Sequence, residues 1–531
     1  MPINIELIKK RISESNATNR NHLYDSHIYW SQKPFNIANI LIESFSESGD
    51  TVFDPFLGSG VTLLESIKND LKRNAIGCEL NEAPLYIVKT LLREYNLKDY
   101  QKEVKLLVSE LDTIDKYYVT SCEICSKEAK ITSTIFDKPL KGDLFLKTEN
   151  YYCPKCKKRY NRDVVGKVIT GSQKHIPRNF NDLKLIPNTK IAVYEDYYIS
   201  DIFTKRNFMV IDEILGIINE KQHKEVFKYL LMSILHLSKI TDKHSNSQWP
   251  LWVPKKDCVE KNVVDLFRKK IASFEKTIVY INSNYNKRGN YKLLHKGSQH
   301  ITNEDIQPNT VDLIITDPPY LGQVAYSEYM QLYKPFLNLD FNLEDEIIVS
   351  SNKERPKQID EYFSLLDKVF EISSNKLKDN KYLCMYFHDS NLQVWVKLLE
   401  SLEKHHFRYI SQVHIKKTNT LKNILSPKKS LNGDAVLFFI KDANHVKQDE
   451  SVEEIDEIIA NVVKHIKQAI REKGSLSTPE LYDGGLMEYL IYNNWLKPLT
   501  REYDSLVEIF EKYLYWDENI SKWVEKKISQ T

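Results

Sequence analysis

The order of apolar and polar positions divides the chain into stretches of different grammar. "NIANILIESFSESGD" (36–50) repeats apolar residues at helical spacing and ends at Gly49. "TVFDPFLGSG" (51–60) reads as a short strand running into a glycine turn, "VTLLESIKND" (61–70) as a helix, and "NAIGCEL" (74–80) as a second strand. Strand, helix, strand is the unit of a parallel α/β sheet. Residues 115–165 lose helical periodicity and carry several tyrosines. Helical patterns return in "FMVIDEILGIINE" (208–220), "EVFKYLLMSILHLSKI" (225–240) and "VVDLFRKKIASFEKTI" (263–278), with the polar "TDKHSNSQWP" (241–250) as a loop between them. Strand signals resume with "VDLIIT" (311–316), "YLCMYF" (382–387), "RYISQVHI" (408–415) and "AVLFFI" (435–440), and the helix "LQVWVKLLESLEKH" (392–405) joins the second and third. The sheet that starts at residue 51 is thus expected to resume near 290, with an insertion between. From about 445 the chain is helical again: Ile455, Ile459, Val462, Val463, Ile466 and Ile470 keep helical spacing. "GSLSTPEL" (474–481) then reads as a helix start, with Thr478 as cap and Pro479 at the first position.

Composition narrows this little. A chain of 531 residues has material for more than one domain. The 42% hydrophobic and 28% charged residues are those of an ordinary globular protein. A net charge of +2 excludes a global polycation, so any nucleic-acid contact must use a local basic face. "MPINIELIKKRISESN" is too polar for a signal peptide, and "YLLMSILHL" (229–237) is too short for a membrane span. A soluble cytoplasmic protein without a membrane partner is expected.

Two turns carry chemistry. "DPFLGSG" (54–60) follows a strand and opens a helix; Gly58 and Gly60 permit close backbone approach to a ligand, and the helix start offers free amides. Glu79 ends the next strand, where a carboxylate suits a ribose diol. No Lys-[Ser/Thr] pair follows, so the turn is not a nucleotide phosphate loop. The second turn, "DPPY" (317–320), ends an apolar strand at the edge where open α/β sheets bind ligands. Its prolines have no amide hydrogen and fix the backbone. Asp317 and the Pro318 carbonyl are acceptors for one amino group, and Tyr320 offers a flat face for a base. A planar heterocycle with an exocyclic amine fits such a turn, with catalysis by positioning and electrostatics.

Together "DPFLGSG", Glu79 and "DPPY" resemble the S-adenosylmethionine-dependent amino-methyltransferases that modify adenine or cytosine in DNA. "HIYWSQKPF" (27–35) resembles that family's N-terminal cofactor motif, and "YKLLHKGS" (291–298) the strand that precedes the catalytic one. "DPPYLGQVAYSEYMQLY" and "FHDSNLQVWVKLLESLEKHHF" look like adenine-specific DNA methylases that carry a zinc ribbon between the two motifs. The resemblance implies a Rossmann-like methyltransferase sheet with an inserted zinc ribbon and helices, plus a C-terminal helical domain. The expected boundaries are 1–110 for the cofactor half, 111–170 for the ribbon, 171–290 for a helical region, 291–443 for the catalytic half and 444–531 for the C-terminal domain. It further implies catalytic roles for Asp317, Pro318, Pro319 and Tyr320. Lys33, Pro34, Asp54, Pro55, Phe56, Gly58, Gly60, Thr62, Glu79 and Asn81 are expected on the cofactor. Ser298, which stands where the family often has Asp, is expected on the substrate with Tyr320, Lys416 and Lys417. The implied reaction moves a methyl group from S-adenosylmethionine to N6 of an adenine flipped from double-stranded DNA, beside a separate restriction or phage-defence subunit. Asp before Pro-Pro-Tyr favours adenine over cytosine N4. An RNA guanine-N2 methyltransferase and an inactive DNA-binding subunit are the other readings; intact turns speak against the last.

Seven cysteines include Cys122-x-x-Cys125 and Cys153-x-x-Cys156. Two such knuckles present four thiolates to a structural Zn2+, and the odd total argues against a disulfide scaffold. The basic residues Lys155, Lys157, Lys158 and Arg159 either grip DNA or solvate a metal-stapled insertion. The lysine-rich "HIKKTNTLKNILSPKKSLNGD" (414–434) either holds phosphates or is a solvated loop.

Overall fold

The structure is a computed structural model. It describes residues 3–137, 144–164, 168–169, 180, 182–188, 191–243, 251, 257–387, 389–415, 427–428, 431, 433–445 and 453–526.

A seven-stranded sheet organises the molecule. Its strands are β1 (Thr51–Asp54), β2 (Asn74–Glu79), β3 (Tyr291–His295), β4 (Val311–Thr316), β5 (Leu377–Phe387), β6 (Phe407–Ile415) and β7 (Asp434–Lys441). Their order across the sheet is β3-β2-β1-β4-β5-β7-β6. The first five run parallel, while β7 lies antiparallel to both β5 and β6. β1 pairs with β2 on one side and with β4 on the other. The topological switch therefore falls between β1 and β4, where a crevice opens at the carboxyl edge.

Alternation fixes the two faces of the sheet. Along β4, Leu313 and Ile315 face one core with Ile37, Leu41 and Phe45, while Ile314 faces another with Phe370, Trp395 and Leu398. A period of two on both faces is what a strand covered on both sides requires. The first face is roofed by α1 (Ile5–Glu14) and α2 (Phe35–Phe45). The second is roofed by the helices Ile359–Lys376 and Leu392–Lys404.

α3 (Val61–Ile67) follows β1 and α4 (Glu82–Leu91) follows β2. Beyond α4 the chain leaves the sheet. Strands 128–137, 144–153 and 158–163 form a second, antiparallel sheet that carries the cysteines. This sheet takes in Cys258–Lys261 and Thr241–Asp242 as further strands, from chain well beyond the cysteine segment. Helices Lys205–Asn219, Lys224–Ser238 and Val263–Asn284 pack with α3 and α4 in one continuous apolar cluster.

The C-terminal region is helical and closes with a hairpin, Leu514–Asp517 against Lys522–Glu525. Its start signal differs by one position from the sequence expectation. Ser477, not Thr478, is the cap of helix Thr478–Leu481, because its hydroxyl accepts from the Glu480 amide while the Glu480 carboxylate accepts from the Ser477 amide at 2.8 Å. The Thr478 hydroxyl instead donates to the Lys428 carbonyl and accepts from the Trp523 indole. No helix among the described residues is long and apolar enough to cross a membrane.

Candidate active site

At the end of β1 the chain turns sharply. The Asp54 carboxylate accepts from the Phe56 amide at 3.0 Å, and the Leu57 amide donates to the Cys78 carbonyl at 2.9 Å. Gly58 and Gly60 lie in the left-handed region, at φ +51° and +83°. A Cβ on Gly58 would stand 2.9 Å from the Tyr29 ring, and one on Gly60 only 2.4 Å from Val88 of α4. Gly58 thus lets the backbone approach an aromatic wall, and Gly60 seats α3 against α4. Glu79 closes the turn from β2: its carboxylate accepts from the Gly58 amide at 2.9 Å and the Asn81 amide at 3.0 Å.

Asp54 and Glu79 are both buried, and neither forms an ion pair among the described residues. Burial pushes each carboxyl up to about 7, with hydrogen bonds from Thr62 and Phe56 opposing the rise at Asp54 and backbone amides opposing it at Glu79.

The acceptor turn lies beside them at the end of β4. The Tyr362 hydroxyl donates to the Pro319 carbonyl at 2.6 Å, and the Val349 amide to the Leu321 carbonyl at 3.1 Å. Gly322 passes so close to Val349 that a Cβ would sit 2.4 Å from its carbonyl oxygen. The turn is therefore clamped from outside as well as stiffened by its prolines. Lys33 reaches in from the loop before α2. Its Nζ pairs with Asp317 Oδ1 at 3.0 Å, donates to Asp434 Oδ2 at 2.8 Å and donates to the Tyr320 hydroxyl at 3.2 Å. Burial works against the Lys33 charge, but the Asp317 and Asp434 carboxylates outweigh it and the ammonium is held above its ordinary value. Asp317 Oδ1, although 3.0 Å from the Lys33 ammonium, accepts no well-aligned hydrogen bond among the described residues. Burial raises the Asp317 carboxyl, and Lys33 restrains the rise.

One cavity unites both turns. Of the residues singled out in the sequence, Lys33, Asp54, Pro55, Phe56, Gly58, Thr62, Glu79, Asn81, Ser298, Asp317 and Pro319 line it. Pro34, Gly60, Pro318 and Tyr320 do not; Pro34 caps α2, and the Tyr320 ring meets Phe387 edge-on at 6.3 Å. The Ser298 hydroxyl donates to the Pro55 carbonyl, so it braces the glycine turn. Lys416 and Lys417 lie outside the described residues.

Three elements of the site escaped the sequence reading, two in the cavity wall and one behind Lys33. Tyr29 and Tyr326 stack at 5.8 Å with planes 15° apart. Gln299 is buried; its amide nitrogen donates to the Asp345 carbonyl at 2.9 Å, which leaves its Oε1 in the cavity with no partner among the described residues. Gly297 makes room, since a Cβ there would stand 2.8 Å from the Gln299 amide. Asp434 is the third. Tyr29 sits inside "HIYWSQKPF" and Gln299 directly follows Ser298, so both had local signals; Asp434 had only its place as the lone acid opening an apolar strand.

Apart from this cavity, Cys122, Cys125, Cys153 and Cys156 bring their four sulfurs within 4.8 Å of one another. The residue after each second cysteine, Ser126 and Lys157, takes a left-handed φ of 55° and 54°. The Ser126 amide donates to the Cys122 carbonyl at 2.8 Å, and the Cys156 amide reaches Cys153 Sγ at 3.4 Å. Two matched knuckles converging on one point form a closed four-thiolate set.

The sequence model of the N6_N4_Mtase family, described as DNA methylase, matches residues 7–90 and 311–526, more than half of the chain. The chain belongs to this DNA methylase family. The matched segments hold both turns of the methylase, and the unmatched stretch between them holds the second sheet and its cysteines. Among curated proteins, the methylase is similar to the Type II methyltransferase M.MjaI of Methanocaldococcus jannaschii, 50% identical over 50 residues, which is 9% of this chain and 16% of that one. It is also similar to the Type II methyltransferase M.HindIII of Haemophilus influenzae, 39% identical over 82 residues, 15% of this chain and 26% of that one. The methylase thus matches about a quarter or less of the length of these relatives.

Proposed function

We propose that this methylase transfers a methyl group from S-adenosylmethionine to the exocyclic N6 amine of an adenine flipped out of double-stranded DNA. The observation that carries the reading is the shared cavity: Asp317, whose Oδ1 accepts no aligned hydrogen bond among the described residues, lines the same space as the glycine turn and its two carboxylates. S-adenosylmethionine, when bound, supplies an electrophilic methyl on a sulfonium. The donor set suits that molecule. Gln299 Oε1 is an acceptor for its adenine amine, Glu79 for its ribose hydroxyls, and Asp54 for its ammonium group. Tyr29, stacked on Tyr326, forms an aromatic wall beside Gly58.

On the substrate side Asp317 accepts one hydrogen of the base amine and turns the nitrogen lone pair toward the donor. The amine nitrogen would form its bond to the methyl carbon as the carbon–sulfur bond breaks, leaving a neutral thioether, and the Asp317 carboxylate would take the proton that the nitrogen sheds and pass it to solvent. Asp rather than Ser before Pro-Pro-Tyr supports adenine. The four cysteines hold a structural Zn2+, which supplies no step of the transfer. Work beside a separate nuclease in restriction or phage defence accords with the Type II methyltransferases it resembles.

The test is transfer of labelled methyl to duplex DNA, followed by digestion to nucleosides. N6-methyladenosine is expected; N4-methylcytosine would move the assignment to the other amine, and label on RNA alone would overturn it. Asp317→Ala should lower the transfer rate at least about a hundredfold with cofactor binding retained.

A further inference from the structure

Asp434 has no part in the reading above, yet it stands at the chemistry. It is the first residue of β7, the strand that breaks the parallel run of the sheet, and it is buried. Its Oδ2 accepts from Lys33 Nζ at 2.8 Å, and the same ammonium lies 3.0 Å from Asp317 Oδ1 without hydrogen-bond alignment. The ammonium is further confined by two rings, with Nζ 5.0 Å from the Tyr320 centroid and 5.4 Å from that of Tyr386. A lysine facing Asp317 alone would direct its hydrogens at the very oxygen the base amine needs. With Asp434 taking one hydrogen and the Tyr320 hydroxyl another, the cation stays close while Oδ1 keeps its lone pairs.

We propose that Lys33 and Asp434 are positioning residues of the methyl-transfer site: Asp434 draws the Lys33 ammonium aside, so that its charge steadies the Asp317 carboxylate while Asp317 Oδ1 stays open for the substrate amine. The proposal rests on the assignment of Asp317 as the amine acceptor. It also moves Lys33 from the cofactor, where its motif put it, to the catalytic turn.

The groups that face this ammonium come from four elements: Asp317 and Tyr320 from the turn after β4, Asp434 from β7, Tyr386 from β5, and Tyr326 from the helix Tyr326–Met330. The two charges act on Asp317 in opposite senses. Lys33 lowers its proton affinity and Asp434 raises it. Loss of Lys33 therefore leaves Asp317 protonated to higher pH, whereas loss of the Asp434 charge leaves it ionised to lower pH.

The experiment is the pH profile of single-turnover methyl transfer to duplex DNA by the full-length protein, with cofactor affinity measured separately by equilibrium titration. Lys33→Met is expected to move the acid limb to higher pH, with about a tenfold loss of rate for each unit of displacement on that limb. Asp434→Asn is expected to move the limb to lower pH and to depress the plateau about tenfold, because the freed ammonium closes on Oδ1. Cofactor affinity should stay within about twofold of the parent in both. Lys33→Arg and Asp434→Glu, which keep the charges, should retain the parent's limb and show that the altered proteins fold. Limbs that move in the same direction, limbs that do not move, or a tenfold loss of cofactor affinity in Lys33→Met would overturn the proposal while the methyltransferase reading stands. Absence of transfer by the parent protein would overturn both.

Discussion

Gly58 shows how one missing side chain sets a binding surface. Its left-handed backbone and its 2.9 Å approach to the Tyr29 ring leave no place for a Cβ. Gly58→Ala should strain the turn by roughly 1–2 kcal/mol and push Tyr29 off its stack. The expected outcome is cofactor affinity reduced tenfold or more at a modest loss of melting temperature, checked by titration and by thermal unfolding. The buried carboxyls nearby make a second prediction at this scale. Asp54 and Glu79 titrate near 7 in the free protein, above their ordinary values. The folded free protein thus binds protons that the unfolded chain does not, and these two groups favour the folded state less as pH rises toward 7. An ammonium or hydroxyl ligand prefers the ionised forms. Cofactor affinity should therefore rise from pH 6 to pH 8 with proton release, measurable by calorimetry in buffers of different ionisation enthalpy. The residues legible in advance, and gathered by the structure, were those marked by local spacing: Asp54, Gly58, Glu79 and Asp317 in one cavity, and the four cysteines in one cluster. Asp434 was not, because it takes the Lys33 ammonium, and Lys33 comes 401 positions earlier. Gln299 was hidden by chemistry, since an amide beside a serine reads as surface until the Asp345 carbonyl orients it.

Among elements, the strands of the central sheet were the most legible. "VDLIIT" is β4 to the residue, and the apolar runs at 408–415 and 435–440 fall inside β6 and β7. β5 was only half seen: it begins at Leu377, five residues before the run "YLCMYF", because Lys378, Asp379, Asn380 and Lys381 are too polar to read as strand. Lys378 and Lys381 earn that place by pairing with Asp312 at 2.7 and 3.4 Å. The spacing of the cysteine pairs was plain, but not the extent of their sheet, which recruits Cys258–Lys261 through pairs such as Ile135 with Val259. No periodicity announces a partner strand so far along the chain. The knuckles make a prediction of their own. Ser126 and Lys157 hold φ values near 55° that glycine would adopt freely. Lys157→Gly should stabilise the metal-bound form by about 0.5 kcal/mol after the entropy of the unfolded chain is counted. Chelator competition should show zinc held about twofold more tightly. Removal of zinc should loosen the strands 128–137 and 144–153, read as faster amide exchange there, with the central sheet less affected.

For the molecule as a whole, the two large apolar clusters divide the labour. One joins the cofactor half to the insertion: Leu63, Leu64 and Val88 pack with Tyr100, Phe227 and Phe274. The other joins the catalytic half to the C-terminal region: Phe387, Trp395 and Leu398 pack with Leu490, Trp495 and Leu506. Polar ties hold the C-terminal region further: Glu488 takes the Lys9 ammonium of α1 at 3.0 Å and the Gln412 amide of β6 at 2.8 Å. A chain ending at Asp442 would bare one face of the helix Leu392–Lys404. It should fail to give a soluble monomer, checked by size exclusion and thermal unfolding; a melt like that of the full chain would refute the shared core. The sequence alone made the C-terminal region look self-contained, because helical periodicity shows that a face is buried and not what buries it.

The pairing of β1 with β4 bears on how the protein is made. β1 leaves the ribosome with β2 beside it, but the edge that Leu313 and Ile314 will cover stays bare until the entire insertion has been translated. At ordinary elongation rates of about 5–20 residues per second, that interval lasts roughly ten to fifty seconds. A bare edge rich in Val52 and Phe53 is a template for wrong pairing. The insertion packs on α3 and α4, so slowed synthesis through residues 91–310, which prolongs the exposure of that edge, should change the yield of active protein more than slowed synthesis near either terminus.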